Sequence, residues 1–340
     1  MVRVGVAGMG FMGQQHFTIY RDMDGVELVA VCDKEPERVS ETASSIGGNI
    51  GEATELDLSQ QARYLCFEEM LDTQDLDLVD ICTPTYLHAE MAVAALEAGS
   101  HVVCEKPMAR TVAQCDEMIQ AAERAGRMLF IAQCIRFWPE YEVLQSLVEG
   151  GELGEVKAAR FVRQSPAPGW ASEGWLMDPE LSGGALLDLH IHDVDFILSL
   201  FGTPNALLSR GINIMSEGAP VDHVETTYVY TDMVCSAQGG WVMPDSFPFN
   251  MAYQVLGTEG LLTFSVNEDP PLRMYPFDGE PYTPDYEPGT GYERELAYFV
   301  QCVEEGVAPE RVTPESARQS VRLVMAEADS IQRREKVIIG

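Results

Sequence analysis

Three groups of residues in this chain have types and spacings suited to chemistry. The first, Gly8-Met9-Gly10-Phe11-Met12-Gly13, reads GxGxxG. Glycines so placed permit a tight turn, let the backbone approach a pyrophosphate, and pack a helix onto the preceding strand. Gly8, Gly10, Phe11, Met12 and Gly13 therefore form a candidate phosphate-binding loop, with a plain strand-to-helix turn as the competing reading. Asp33, 20 residues after Gly13, closes a second apolar run, where a carboxylate accepts both ribose hydroxyls of an adenosine. A carboxylate there repels a 2′-phosphate and favours NAD. Lys34 and Arg38 beside it keep NADP open, because either can pair with that phosphate.

The second group is Lys106, which ends the apolar run HVVCEK and precedes Pro107. In a parallel sheet that is the carboxyl edge, where ligands bind, although strand-end lysines are commonly just solvated charges. The third is Asp188, His192 and Asp195, spaced i, i+4, i+7 in an amphipathic stretch, so that one helix would project them in a line. That spacing suits a carboxylate positioning an imidazole and also suits a surface ion pair. No metal site is expected in His190-Ile191-His192-Asp193, since residues two apart on a helix face different ways and no third ligand is evident.

Such residues need a scaffold, and the first half of the chain supplies its pattern. Short Val- and Ile-rich runs (2–7, 26–33, 76–84, 101–106) alternate with helical stretches, as in a doubly wound parallel sheet with helices on both faces. A helix opens at Thr111 with Gln114 as a capping box and stops at Gly126, before another apolar run at 128–134. These caps predict a dinucleotide-binding domain over 1–126 and a second domain over 127–340.

Composition narrows the partners. With 54 acidic against 22 basic residues, a net charge of −32 repels nucleic acid and anionic lipid, so neither is expected as a partner. Only four of the basic residues are lysines, a balance that a salt-rich cytoplasm can favour. The chain has no signal-like N-terminus and no apolar run of about 18 residues, which predicts an intracellular, cytoplasmic protein without a membrane span. Eight scattered cysteines without a CxxC pair read as small buried hydrophobes in a reducing compartment.

The residues together resemble the Gfo/Idh/MocA family of oxidoreductases. The resemblance is carried by the glycines at 8–13, Thr83-Pro84 with His88, Glu105-Lys106-Pro107, Arg136-Phe137 with Pro139, and Gly183-Gly184 leading to Asp188 and His192. It continues to Thr313-Pro314-Glu315-Ser316-Ala317 and so spans nearly the whole chain. It implies an N-terminal Rossmann domain, a C-terminal α+β domain built on a large, mostly antiparallel open sheet, and an active site in the cleft between them. Alternating strand-like runs at 223–232, 233–242 and 261–266 agree with the second domain. An open sheet of that size needs cover, which predicts a homodimer or homotetramer through it.

The resemblance further implies an NAD(P)-dependent dehydrogenase that oxidises a secondary hydroxyl of a sugar, polyol or inositol-like substrate. His192 would be the general base, Lys106 would stabilise the developing alkoxide, and Asp188 would orient the site. Thr83, Pro84, His88 and Glu105 would join the cofactor side, and the Lys106–Pro107 bond would be cis. Candidate substrate contacts are Arg136, Trp175 and Tyr292, with Trp138 and Trp170 as further walls for a sugar ring. His190 departs from the glycine that the family usually carries there and is read as a specificity element. Two rival activities stay open: a glycosidase that uses NAD in transient oxidation, and a dinucleotide-sensing regulator without chemistry.

Overall fold

The computed structural model describes residues 1–44, 46, 56–169, 172–214 and 221–340. The chain divides into two compact units. In the first, a six-stranded sheet runs in the order Ala62–Tyr64, Val26–Cys32, Val2–Ala7, Leu78–Ile81, His101–Glu105, Leu129–Ala132. Every pair in it is parallel. In chain order this is 3-2-1-4-5-6, so the winding reverses between Val2–Ala7 and Leu78–Ile81, and ligands of such sheets bind beyond the carboxyl ends at that reversal. Val4, Val6, Val79, Ile81, Val102 and Val103 have no exposed surface, as expected of strands covered on both faces.

Thr111 caps the helix Val112–Ala125 by accepting the Gln114 backbone N–H, and Gly126 ends it with φ +61°. The domain boundary lies later than this cap predicts. Leu129–Ala132 is hydrogen-bonded in register to His101–Glu105, with Val102 opposite Leu129, so the first unit extends to Cys134. It also takes back Tyr292–Arg318, whose Phe299 stacks on Phe130 at 4.8 Å. An apolar strand cannot leave a sheet that supplies its hydrogen bonds, whatever the helix before it does.

The second unit holds an eight-stranded sheet, ordered Leu272–Pro276, Gly260–Ser265, Asn250–Gly257, Val156–Pro166, Val234–Met243, His223–Val229, Ala206–Ile212, Val337–Ile338. All its pairs are antiparallel except Val156–Pro166 with Val234–Met243. Along His223–Val229, buried and exposed side chains alternate, the mark of a sheet with one covered face. That face packs Tyr141, Phe161, Phe196, Tyr253 and Phe264 into one aromatic cluster, with Tyr141 edge-on to Phe196 at 4.8 Å. Leu208, Ile212, Val229 and Val234 are exposed. Among the described residues no helix is long and apolar enough to cross a membrane, and all eight cysteines are free thiols.

Candidate functional site

In the first unit the glycine loop joins the strand Val2–Ala7 to the helix Phe11–Arg21 at the winding reversal. Its glycines do different work. Gly8 has φ +91°, and a Cβ on it would stand 2.6 Å from the Cys82 carbonyl oxygen. On Gly13 a Cβ would fall 1.7 Å from the Gly8 carbonyl oxygen, so this glycine closes the turn against the helix. At Gly10 a Cβ would meet nothing within 4 Å. No protein atom near the loop requires a glycine at position 10.

Asp33 is buried beside this loop. One carboxylate oxygen accepts the Met9 backbone N–H at 2.7 Å and the other that of Glu35 at 2.9 Å. Arg38 Nη1 lies 3.4 Å from Asp33 Oδ2, while Lys34 extends toward solvent, 3.9 Å from Glu35. A carboxylate has about four acceptor sites, so Asp33 keeps capacity for a ribose hydroxyl.

Thr83 and Pro84 follow the strand Leu78–Ile81 at the carboxyl edge. His88 opens the helix His88–Glu97 that follows. It is buried, and its ring nitrogens lie 2.8 Å from the Pro107 carbonyl and 2.8 Å from the Thr83 carbonyl. Burial pushes its pKa down although both carbonyls act the other way. Its work is to tie Thr83-Pro84 to Lys106-Pro107, whose bond is cis as expected. Lys106 is half-buried at the end of His101–Glu105, and its backbone N–H donates to Glu105 Oε2 at 2.9 Å. Tyr292 and Trp175 are half-buried in this unit. Trp170 lies outside the described residues.

In the second unit the expected single helix is interrupted. Gly184–Asp188 and Ile191–Phe201 are separate helices, because the His190 N–H reaches five residues back to the Ala185 carbonyl and breaks the regular ladder. The straight line of Asp188, His192 and Asp195 is therefore not formed. Asp195 is buried and accepts two hydrogen bonds from Arg136 at 2.7 Å and one from Ser320 at 2.7 Å. Arg136 is thereby a structural partner of Asp195 rather than an open substrate contact. Asp193 is likewise buried against Arg163, at 2.9 Å.

His190 is also fully buried, 3.4 Å from Glu327, and it fits because Gly239 opposite has no side chain; a Cβ there would stand 2.6 Å from His190 Nδ1. The expectation of an imidazole lining the substrate entry fails on that burial. Asp188 and His192 alone of the five ionisable residues from 188 to 195 keep solvent access. Trp138 is half-buried in this unit, at the N-cap of Pro139–Glu149.

Two family models match the chain. One describes an oxidoreductase family with an NAD-binding Rossmann fold and covers residues 2–133; the other describes a GFO/IDH/MocA C-terminal domain and covers residues 141–263. The chain belongs to the Gfo/Idh/MocA family. Among its relatives, D-glucoside 3-dehydrogenase of Escherichia coli strain K12 is 36% identical over 60% of this chain and 55% of its own length, so that match spans about half of the relative. Myo-inositol 2-dehydrogenase of Thermotoga maritima is 26% identical across 99% of this chain and 98% of its own. A solved levoglucosan dehydrogenase, in complex with NADH and levoglucosan, shares the fold with a TM-score of 0.84 at 21% identity, over 99% of both chains.

The residues of this Gfo/Idh/MocA chain fit NAD. The space beside Gly10 is open, the helix beginning at Phe11 offers its N-terminus there, and Asp33 is a buried carboxylate beside the loop with acceptor capacity for a ribose hydroxyl. Sequence reading missed the buried polar groups that hold these elements: His16 with Asp80 and Glu105, Arg163 with Asp193, and Glu327 beneath His190. His16 and Asp80 are 64 positions apart and share no spacing signal.

Proposed function

We propose that this protein is an NAD-dependent dehydrogenase oxidising a secondary hydroxyl of a sugar or polyol. The observation that carries the reading is selective access. In a segment dense with ionisable groups, Asp188 and His192 reach solvent while His190, Asp193 and Asp195 are buried against partners. The names of the relatives, a glucoside, a myo-inositol and a levoglucosan dehydrogenase, support the substrate class.

Bound nicotinamide would supply the hydride acceptor. The chain's own work is proton handling. His192 takes the hydroxyl proton as general base, and Asp188 is the second accessible group of the segment, read as orienting the site. Lys106 is the group read as stabilising negative charge on an alkoxide. NAD is favoured over NADP because Arg38 already faces the Asp33 carboxylate at 3.4 Å. The exposed face of the large sheet, with Leu208, Ile212, Val229 and Val234, is the surface for a homo-oligomer. A monomer by light scattering at working concentration defeats that part.

The direct test is near-ultraviolet absorbance with each oxidised dinucleotide against inositols, aldoses, glucosides and anhydrosugars. NADH formation on one compound supports the reading. Dinucleotide binding without turnover in either direction overturns it, and an aglycone released without NADH would mark a glycosidase instead.

A further inference from the structure

The first unit buries one imidazole among three carboxyl groups. His16, in the helix that carries the glycine loop, has no exposed surface. Its Nδ1 lies 2.8 Å from Asp80 Oδ2, and Cys82 Sγ lies 3.3 Å from the same nitrogen. On the other side of the ring, Nε2 lies 3.3 Å from Glu105 Oε1, a charge contact rather than an aligned hydrogen bond. Glu105 uses its second oxygen, Oε2, to accept the Lys106 backbone N–H at 2.9 Å. Glu295, from the helix Gly291–Glu305, is buried nearby with neither oxygen hydrogen-bonded.

The protonation states are set by this enclosure. Burial alone would push the His16 pKa down, but Cys82 and Asp80 outweigh it and raise it well above the usual value. Burial pushes the Glu295 carboxyl well up, and Glu105 and Asp80 add to that. These directions favour an imidazolium between Asp80 and Glu105 and a protonated Glu295. An imidazolium bridging two buried carboxylates resists displacement, since moving either one leaves a buried charge unpaired.

We propose that His16 is a positioning residue for Lys106: it holds the Glu105 carboxylate that fixes the Lys106 backbone, and so couples the helix behind the dinucleotide loop to the catalytic lysine. The inference rests on the reading of Lys106 given above. It explains why a carboxylate directly precedes this lysine at a buried strand end, where an apolar residue would otherwise be cheaper.

The test uses the full chain. His16→Asn keeps an amide near Asp80 but cannot reach Glu105; Glu105→Gln keeps an acceptor for the Lys106 N–H but removes the charge facing His16. Amide hydrogen exchange is followed on the peptide spanning Val102–Met108, with and without NAD. The proposal expects exchange at Lys106 to rise about tenfold or more in His16→Asn, with the peptide spanning Gly8–Gly13 unchanged. With a substrate that turns over, kcat falls about 10- to 100-fold, the cost of a misplaced reacting group. Added to Lys106→Ala, the same substitution lowers kcat no further. Unchanged exchange at Lys106 in both variants, or losses that add to those of Lys106→Ala, overturns the proposal. If His16→Asn does not fold, Glu105→Gln alone decides by the same measures. Full activity of Lys106→Ala would instead defeat the catalytic reading of Lys106 and leave the exchange result to stand separately.

Discussion

The Gly8–Gly13 loop and the Asp188–Asp195 segment, the two proposed functional regions, are built by opposite means. The loop works by absence: Gly8 and Gly13 are required by neighbouring backbone, and Gly10 leaves open the space over the loop. The segment works by selection. Partners drawn from distant positions bury His190, Asp193 and Asp195 and leave Asp188 and His192 accessible. A site made from backbone is contained in a few adjacent residues, whereas a site made by deciding which side chains stay accessible depends on the whole packing around it.

Substitutions can break this contrast. The largest effect is expected from His192→Ala, about 10²- to 10⁴-fold in kcat, the usual contribution of a positioned base. NAD affinity measured by titration calorimetry should stay within about twofold, since the cofactor loop lies in the other unit. Full turnover in that variant would remove the base from the segment. Next in size, Arg136→Ala strands the buried Asp195 carboxylate with only Ser320 against it and should cost about 3–5 kcal/mol in urea unfolding. A loss below about 1 kcal/mol would show that Asp195 is solvated in solution, contrary to selection by burial.

Within the loop, two substitutions of the same type should separate. Gly13→Ala forces its Cβ onto the Gly8 carbonyl and should destabilise by about 1–3 kcal/mol as strain is relieved by shifting the helix. Gly10→Ala meets no protein atom and should leave stability within about 0.5 kcal/mol while weakening NAD binding. Equal losses of stability at both positions would deny that one glycine serves the fold and the other the ligand.

The smallest effect is one of pH. The Glu295 carboxyl is raised by burial and by Glu105 and Asp80, so the folded chain holds its proton above the usual carboxylate range and the unfolded chain does not. Between those two values the folded state binds more protons, and stability falls as pH rises, by up to about 1.4 kcal/mol per pH unit for one proton. Glu295→Gln removes this proton and should flatten the fall in melting temperature above pH ~4.5, where an unfolded glutamate ionises. An unchanged slope would show that Glu295 titrates alike in both states.

Much of the first unit was legible because its signals are local. Glycine spacing, Val-rich runs, the Thr111 cap and the left-handed Gly126 each act within a few residues, and the sheet of Val2–Ala7, Val26–Cys32 and His101–Glu105 follows them. Its boundary was misplaced because Leu129–Ala132 joins the sheet through hydrogen bonds that no cap announces. In the second unit, alternation marked His223–Val229 and Val234–Met243, but not the central strand Val156–Pro166, whose neighbours are some 80 to 100 positions away.

By itself the sequence determined the dinucleotide loop, the strand-end lysine, the acidic surface and the family pattern, all of which are short-range or compositional. Only the tertiary structure decided that Arg136 belongs to Asp195, that His88 lies between two carbonyls, that His190 is enclosed, and that His16 stands between Asp80 and Glu105. The reason is physical. A charged or polar side chain takes its role from the partner it meets when water is removed, and these partners lie from 5 to 137 positions away along the chain.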